Sequence, residues 1–326
     1  MGRGYHRVQV MDSVPSAPAV VTDCGGGVLA IDSHMHGRPG VTAVYCLPGP
    51  KPAIIETAPA TSLPSVLAGL EAVGISRLDW IVVTHVHLDH AGAAGHLASQ
   101  FPTATVVVRA EGAPHLVDPS RLWSSASRLY DDMEGLWGSM LPIAEERIVA
   151  VSEDGPVADL GDGRRLEAIY TPGHAAHHMA LYEPGGGDLF AGDAIGVYLA
   201  EVGAVRPAAP PPEFDLEAGL DSIERIRRAH PTRVFPTHFG PMPQIGPLLD
   251  EAGMRLTQAV ALAESVVAAG GGLAAITEAF ISEELTLLPG LDPSLSDRLA
   301  HTITHELNAR GVARYLTKKR GIPVGP

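Results

Sequence analysis

Cysteine, basic charge and long apolar runs are what this chain of 326 residues has little of. Only Cys24 and Cys46 occur, each beside strand-like sequence and far from any cluster of metal-binding side chains. A disulfide framework is therefore not expected, and both read as ordinary buried thiols. No segment reaches the ~18 consecutive apolar residues of a membrane span. The start, "MGRGYHRVQVMDSVPSAP", has no apolar run after its basic residues, as a secretory leader would. A cytoplasmic protein that does not engage a membrane is expected. Lysine and arginine number 23 against 37 acidic residues, a formal charge of -14, which disfavours nucleic acid as a partner because phosphate backbones call for a basic face. The clusters "RIRR" (225–228) and "KKR" (318–320) read as solvated helix surface.

What is there suits a globular enzyme: 45% hydrophobic and 18% charged residues exclude a disordered chain, and the length allows a sizeable core. The first third alternates apolar runs with turn signals, "GGGVLAID", "VTAVYCL", "PGPKP" and "AIIET", a hairpin pattern. "SLPSVLAGLEAVG" reads as a helix capped by Ser62, with Pro64 in its first turn and Gly74 at its end. Strands are expected at "LDWIVVTH", "ATVVVR", "RLEAIYT", "MALYE", "DLFAGD" and "RVFPTH". Leu216, Leu220, Ile223 and Ile226 make one helical stripe. Residues 246–320 look wholly helical, and "LDPSLSDRLAHTITHELNARGVARYL" reads as a helix carrying Leu295, Leu299, Ile303 and Leu307 on one face. Three parts are expected: an N-terminal arm over 1–17, a mixed α/β domain over 18–245, and a helical C-terminal subdomain over 246–326. The last must dock its stripe on the main domain or on a second copy of the chain, as in a homodimer. The proline-rich "VRPAAPPPEF" (205–214) reads as a fixed surface loop.

The chemistry is concentrated in "THVHLDHAG" (84–92), where His85, His87, Asp89 and His90 fall within six positions. Four apolar strands each end in a potential ligand: "DWIVVT" at His85, "LEAIYTPG" at His174, "DLFAG" at Asp193 and "RVFPT" at His238. If those strands lie side by side, their ends bring all these groups to one rim. Five imidazoles and two carboxylates suit zinc, with iron or manganese as alternatives. A catalytic zinc takes about three protein ligands and keeps a position open, so seven are too many for one ion and fit two that share a carboxylate. Asp193, alone on its strand end, is the natural bridge.

These residues resemble the metallo-β-lactamase fold superfamily. Its His-x-His-x-Asp-His signature stands here as residues 85–90, and "TPGH" (171–174), "AGD" (191–193) and "THFG" (237–240) match its later motifs in order. The resemblance covers roughly residues 18–245 and implies an αββα sandwich with metals at one edge of the two sheets, here carrying a C-terminal helical appendage. It further implies His85, His87 and His174 on one metal, Asp89, His90 and His238 on the other, and Asp193 between. The relatives of the glyoxalase II and lactonase kind imply a hydrolase. In such a site a bridging hydroxide attacks the carbonyl of a small-molecule ester, thioester or lactone, and Asp89 orients it and passes its proton to the leaving group. More narrowly, "GHAAHH", "GDAIGVY" and "PPPEFDL" resemble a prokaryotic branch with a helical C-terminus. Two departures stand out: Glu56-Thr57-Ala58 where many members have Asp-Thr-Gly, and Ala175 where Thr is common. Neither is expected to touch a ligand. The basic residues that hold glutathione carboxylates in glyoxalase II are not evident.

Other groups are read as non-ligands. His34 and His36 repeat His-x-His without the following Asp-His, although the "GRPG" turn could bring His36 or Arg38 over the site. His177 and His178 are expected behind the ligands, and His301 and His305 on helix surface. Trp123, Tyr130 and Trp137 recur every seven residues beside a stripe of Leu122, Ala126, Leu129, Met133, Leu136 and Met140, which reads as core or a dimer contact, with a substrate wall as the alternative. The competing functions are iron-dependent oxygen chemistry of the persulfide dioxygenase kind, which the ligands alone do not separate, and nuclease activity, disfavoured by charge. The oxygen-reducing diiron branch has a carboxylate where His87 stands and a fused flavin module.

Overall fold

The computed structural model describes residues 19–201, 203–242, 244–290 and 292–326. The arm expected over 1–17 lies outside the described residues. Strands β1 (Val21–Asp23), β2 (Leu29–Asp32), β3 (Ala43–Leu47), β4 (Ala53–Ile55), β5 (Trp80–Val82), β6 (Thr105–Arg109) and β7 (Ile148–Val151) form one sheet in that order. The first four strands pair antiparallel through hairpins, and β4 to β7 pair parallel. Between them run α1 (Leu63–Ala72), α2 (Leu88–Ala91), α3 (Ala94–Gln100), α4 (Ala113–Val117), α5 (Ser120–Ala126) and α6 (Met133–Leu136). The second sheet is built from β8 (Gly155–Gly161), β9 (Arg164–Tyr170), β10 (Met179–Glu183), β11 (Asp188–Gly192) and β14 (Arg233–Pro236), in the order β14-β11-β10-β9-β8. A short ribbon of β12 (Val197–Leu199) and β13 (Ala204–Arg206) follows β11, and α7 (Leu216–Arg228) precedes β14.

Alternation along the strands explains why the sheets stack. In β3 to β6 one set, Val44, Ile54, Ile81 and Val106, packs with helix residues such as Leu70 and Leu97. Their neighbours Tyr45, Ile55, Val82 and Val107 point the other way, onto Leu166, Leu181, Phe190 and Phe235 of the second sheet. Each such fully buried side chain contributes about 1.5–3 kcal/mol relative to exposure. The outer face of the second sheet is covered by α7 and by the C-terminal helices α8 (Ile245–Ala268), α9 (Leu273–Leu287) and α11 (His305–Tyr315). Helix, sheet, sheet and helix thus form the αββα sandwich, with further helices at the C-terminal end.

Those helices dock on the chain's own main part. Leu295 and Leu299 of α10 (Pro293–Ala300), together with Ile303, are buried against Val197 and Ala208. The single helix predicted across this stretch is two, broken over 301–304. Thr304 caps the second helix by accepting a hydrogen bond from the Leu307 amide at 3.1 Å, and Asp292 caps the first. A second helix start inside an apolar stripe carries no gap in periodicity, which is why the stripe hid it.

Arg206 ties this region down. Buried at the end of β13, it holds Glu284 of α9 with paired bonds of 2.7 and 2.6 Å and donates to the carbonyls of Leu299 and Ile303. Burial works against the Glu284 carboxylate, yet His305 and Arg206 beside it hold its pKa down to about 2. A depressed carboxyl stabilises the fold fully above its ordinary pKa, and that contribution is lost as pH falls toward 2. Arg206→Met is expected to lower the unfolding free energy by about 2–4 kcal/mol at neutral pH, with the deficit shrinking as pH is lowered below about 4.5. Urea denaturation of both proteins at several pH values reads this directly, and a deficit that does not vary with pH would rule out the ion pair as its source.

Candidate metal centre

The strand ends converge, but not in the single row expected from sequence. Strand β5 belongs to the first sheet, while β9, β11 and β14 run in one direction in the second. The groups therefore meet across the gap between the sheets, which the Met179 amide spans by donating to the Thr84 carbonyl at 2.9 Å. Two motif glycines make the approach close enough. Gly192 has φ 52°, and a Cβ there would lie 2.5 Å from His178 Nε2 and 2.6 Å from Thr84 Oγ1. Gly173 has φ 127°, and a Cβ would lie 2.4 Å from the backbone of Gly219. A side chain at either position is strained by the positive φ and must displace those neighbours, side chains at Gly192 and backbone at Gly173.

All seven residues singled out in the sequence come together here, in groups of three whose polar atoms lie within 4.8 Å of one another: His85, His87 and His174; Asp89, His90 and His238; and His85, His90 and Asp193. His87 Nδ1 lies 3.0 Å from His85 Nε2 and 2.9 Å from His174 Nε2. A tetrahedral zinc holds its nitrogens about 3.3 Å apart, so this spacing suits one ion after a small expansion. Asp89 Oδ2 is 3.5 Å from Nε2 of both His90 and His238. The Asp193 oxygens divide: Oδ2 lies 3.5 Å from His174 Nε2, while Oδ1 lies 3.5 and 3.7 Å from His90 and His238 Nε2.

The outward ring nitrogens are fixed. His174 Nδ1–H donates to the Ala208 carbonyl at 3.1 Å and His238 Nδ1–H to Val41 at 2.9 Å, which points each Nε2 inward at the cluster. His85 Nδ1 meets Thr84 Oγ1 at 3.0 Å. Burial, reinforced by the neighbouring imidazoles, pushes His85 and His87 well below the usual histidine range, so both are neutral. Burial acts the same way on His90 and His238, but the carboxylates of Asp89 and Asp193 outweigh it and raise both. Protons on these two rings balance the carboxylates, as a cation would. His90 Nε2 and Asp193 Oδ1 are buried without a hydrogen-bond partner, a costly state that a bound ion relieves. The donor set and its orphaned atoms fit divalent metals.

Glu56 was not expected to touch these groups, and it does. Buried and at φ 69°, it takes bonds at Oε1 from His90 Nδ1 at 3.0 Å, Thr84 Oγ1 at 2.6 Å and Thr237 Oγ1 at 3.0 Å. One carboxylate thus ties the 84–92 stretch to the end of β14, and a charged residue directly after the buried run "AII" was the signal. His178 sits behind the cluster as expected, with Nε2 accepting from the Asp193 amide at 3.1 Å and Nδ1 against Thr171 Oγ1 at 2.8 Å. His177 stacks 6.0 Å from His85. Arg38 turns away to pair with Asp297, and His36 Nδ1 meets His301 Nδ1 at 3.2 Å. His301 is therefore an inter-segment contact and His305 a neighbour of Glu284 at 3.3 Å, not free helix surface. Tyr130 and Trp137 line the cleft over the centre, while Trp123 packs behind them.

A sequence-family model described as the metallo-beta-lactamase superfamily matches residues 38–238. The chain is 30% identical over 205 residues to a metallo-beta-lactamase fold-containing protein of Sulfurisphaera tokodaii, covering 62% of this chain and 74% of that one. Its solved structure aligns with a TM-score of 0.66 at 25% identity, over 88% of this chain and 98% of that one. A hydroxyacylglutathione hydrolase of a Synechococcus strain is 26% identical over 196 residues, 60% of this chain and 62% of the relative. An N-acyl homoserine lactonase of Agrobacterium fabrum is 31% identical over 117 residues, 34% and 39% of the two chains. The match thus spans less than two thirds of these last two proteins.

Glu56→Gln keeps the shape and can leave its amide oxygen on the three donors, but it removes the charge and turns an NH2 toward the Thr84 N–H, which Oε2 accepts at 3.3 Å. Chelator-treated protein carrying it is expected to lose about 2–3 kcal/mol of unfolding free energy, read by urea denaturation. Unchanged stability would show that Glu56 is not the brace.

Proposed function

The chain belongs to the metallo-beta-lactamase superfamily, and from that membership we propose that it is a dinuclear metal-dependent hydrolase of small-molecule esters, thioesters or lactones. The observation that carries the reading is the division of Asp193, whose two oxygens face two different groups of ligand atoms. In this reading His85, His87 and His174 hold one ion, Asp89, His90 and His238 the other, and Asp193 both. Zinc suits the mixed nitrogen and oxygen set. Two such ions, when bound, supply a water with a pKa lowered to about 7 and a Lewis acid for the carbonyl oxygen.

The protein's own part is positioning and proton transfer. Asp89 is 17% exposed and lines the cleft, whereas His85 and His90 are sealed. One of its oxygens faces His90 and His238. The other is free to orient a water toward a carbonyl carbon, take its proton and deliver that proton to the leaving oxygen or sulfur. Two divalent ions would replace the protons on His90 and His238 and outweigh the two ligand carboxylates, which would leave an excess of positive charge for the oxyanion that develops. Two relatives bear the names hydroxyacylglutathione hydrolase and N-acyl homoserine lactonase, which supports hydrolysis of acyl compounds. Two free cysteines fit a reducing compartment such as the cytoplasm, and no helix among the described residues is long and apolar enough to cross a membrane. Mononuclear iron chemistry is the weaker reading because it leaves Asp89, His90 and His238 unused.

Elemental analysis of purified protein is expected to give about two metals per chain, with turnover of p-nitrophenyl esters, thioesters or lactones. Asp193→Ala is expected to lose at least one metal; unchanged stoichiometry would refute the bridge. One iron per chain with sulfur-dependent oxygen uptake and no hydrolysis would overturn the whole assignment.

A further inference from the structure

We propose that the substrate carries an apolar acyl group of modest length, and that residues of the C-terminal helices select it; the inference rests on the hydrolase reading. A cleft of about 260 Å³ opens onto His87, Asp89, His174, Asp193 and His238. This lies just under the volumes that hold drug-sized ligands, so a small compound suits it. Its apolar lining includes three stretches far apart in sequence: Leu122, Ala126, Leu129 and Tyr130 from one, the prolines 210–212 from another, and Ile303 and Leu307, at the break between α10 and α11 and just inside α11, from the last. The last pair lies outside residues 38–238, so the family match does not dictate it.

Three observations point to an acyl chain. Leu129 is 40% exposed and lines the cleft, so an apolar group bound there would cover it. Arg206 pins the Ile303 carbonyl from behind at 3.1 Å, which makes that wall a fixed surface. Among the described residues the polar part of the lining offers Arg121 as its one permanent cation, while His177 Nε2 lies 3.6 Å from Glu213. A tripeptide conjugate with two carboxylates finds too little positive charge there; an aliphatic or aromatic acyl group needs none.

The test uses zinc-loaded protein and p-nitrophenyl acetate, butanoate, hexanoate and octanoate. The specificity constant kcat/KM is expected to rise about fourfold for each buried methylene until the cleft is filled. Leu129→Ser and Leu307→Ser are expected to lower the hexanoate-to-acetate ratio at least about fivefold. In parallel, octanamide binding, which needs no turnover, is read by calorimetry and by the fluorescence of Trp137, and is expected to weaken in both variants. Urea midpoints check folding, and Leu307→Ala takes the place of Leu307→Ser if the serine variant fails to fold; an unchanged chain-length preference in a folded Leu307 variant overturns the role of the C-terminal helices. Amide binding that weakens in the variants, with no ester turned over, keeps the cleft assignment and sinks the hydrolase reading. Ester turnover independent of chain length, with no amide binding, does the reverse. Neither turnover nor binding overturns both.

Discussion

The fold is organised around one costly requirement: five imidazoles and two carboxylates must sit within a few ångströms of each other with little water. Transfer of ionised groups from water costs several kcal/mol each unless they are paired, and imidazoles crowded together repel as soon as they are charged. Every local feature of the centre answers that problem. His85 and His87 are kept neutral by burial and by one another. His90 and His238 are placed against the carboxylates. Backbone carbonyls of Val41 and Ala208 fix two tautomers from outside. The two rigid sheets supply positions, and loops between flexible elements could not hold such groups against their mutual repulsion.

Much of this was legible in the sequence because the ligand groups follow directly on apolar strands. Where a run such as "DLFAG" ends in a charged residue, burial and chemistry are adjacent in the chain, and the reading needs no knowledge of distant contacts. The αββα architecture followed from the resemblance carried by those motifs, and the family match and the two stacked sheets bear it out. What stayed hidden depends on contacts between segments. Glu56 was read as a mere departure from a common triplet, since its partners, Thr84 and His90 of the 84–92 stretch and Thr237 after β14, come from two other segments. Strands β1, β7, β8, β12 and β13 were missed for a similar reason. β8 is bounded by glycines and half exposed, β1 and β7 are short edge strands, and "VYL" with "AVR" forms only a ribbon whose pairing is local to the rim.

The C-terminal stripe shows the same limit from another side. Its apolar period is continuous through Leu295, Leu299, Ile303 and Leu307, and period alone describes one helix. A threonine at 304 gave the chain a second start, and the resulting bend keeps Leu295, Leu299 and Ile303 in one cluster while turning Ile303 and Leu307 toward the cleft. Periodicity reports which residues share a side, not where the axis changes direction. The same holds for Trp123, Tyr130 and Trp137. Their seven-residue spacing reads as a single helix face, yet α5 ends at Ala126 and α6 begins at Met133. Tyr130 and Trp137 reach the cleft, and Trp123 is left in the packing behind it.

Two layers of constraint therefore meet at the rim. The ligand groups are set by strand ends whose positions the sandwich fixes, so they tolerate little change. The wall over them is set by short helices and by the α10–α11 bend, held through Arg206 rather than through the sheets. The wall can change in shape without disturbing the centre, because Arg206 bonds to backbone carbonyls that any side chain at 299 or 303 would still present. In the proposed reading, substitution at Ile303 would then alter what the cleft accepts while the tether and the positions of the seven clustered groups persist. A scaffold divided in this way would separate the chemistry of the cluster from substrate choice, which would fall to residues late in the chain and far from the motif at 84–92.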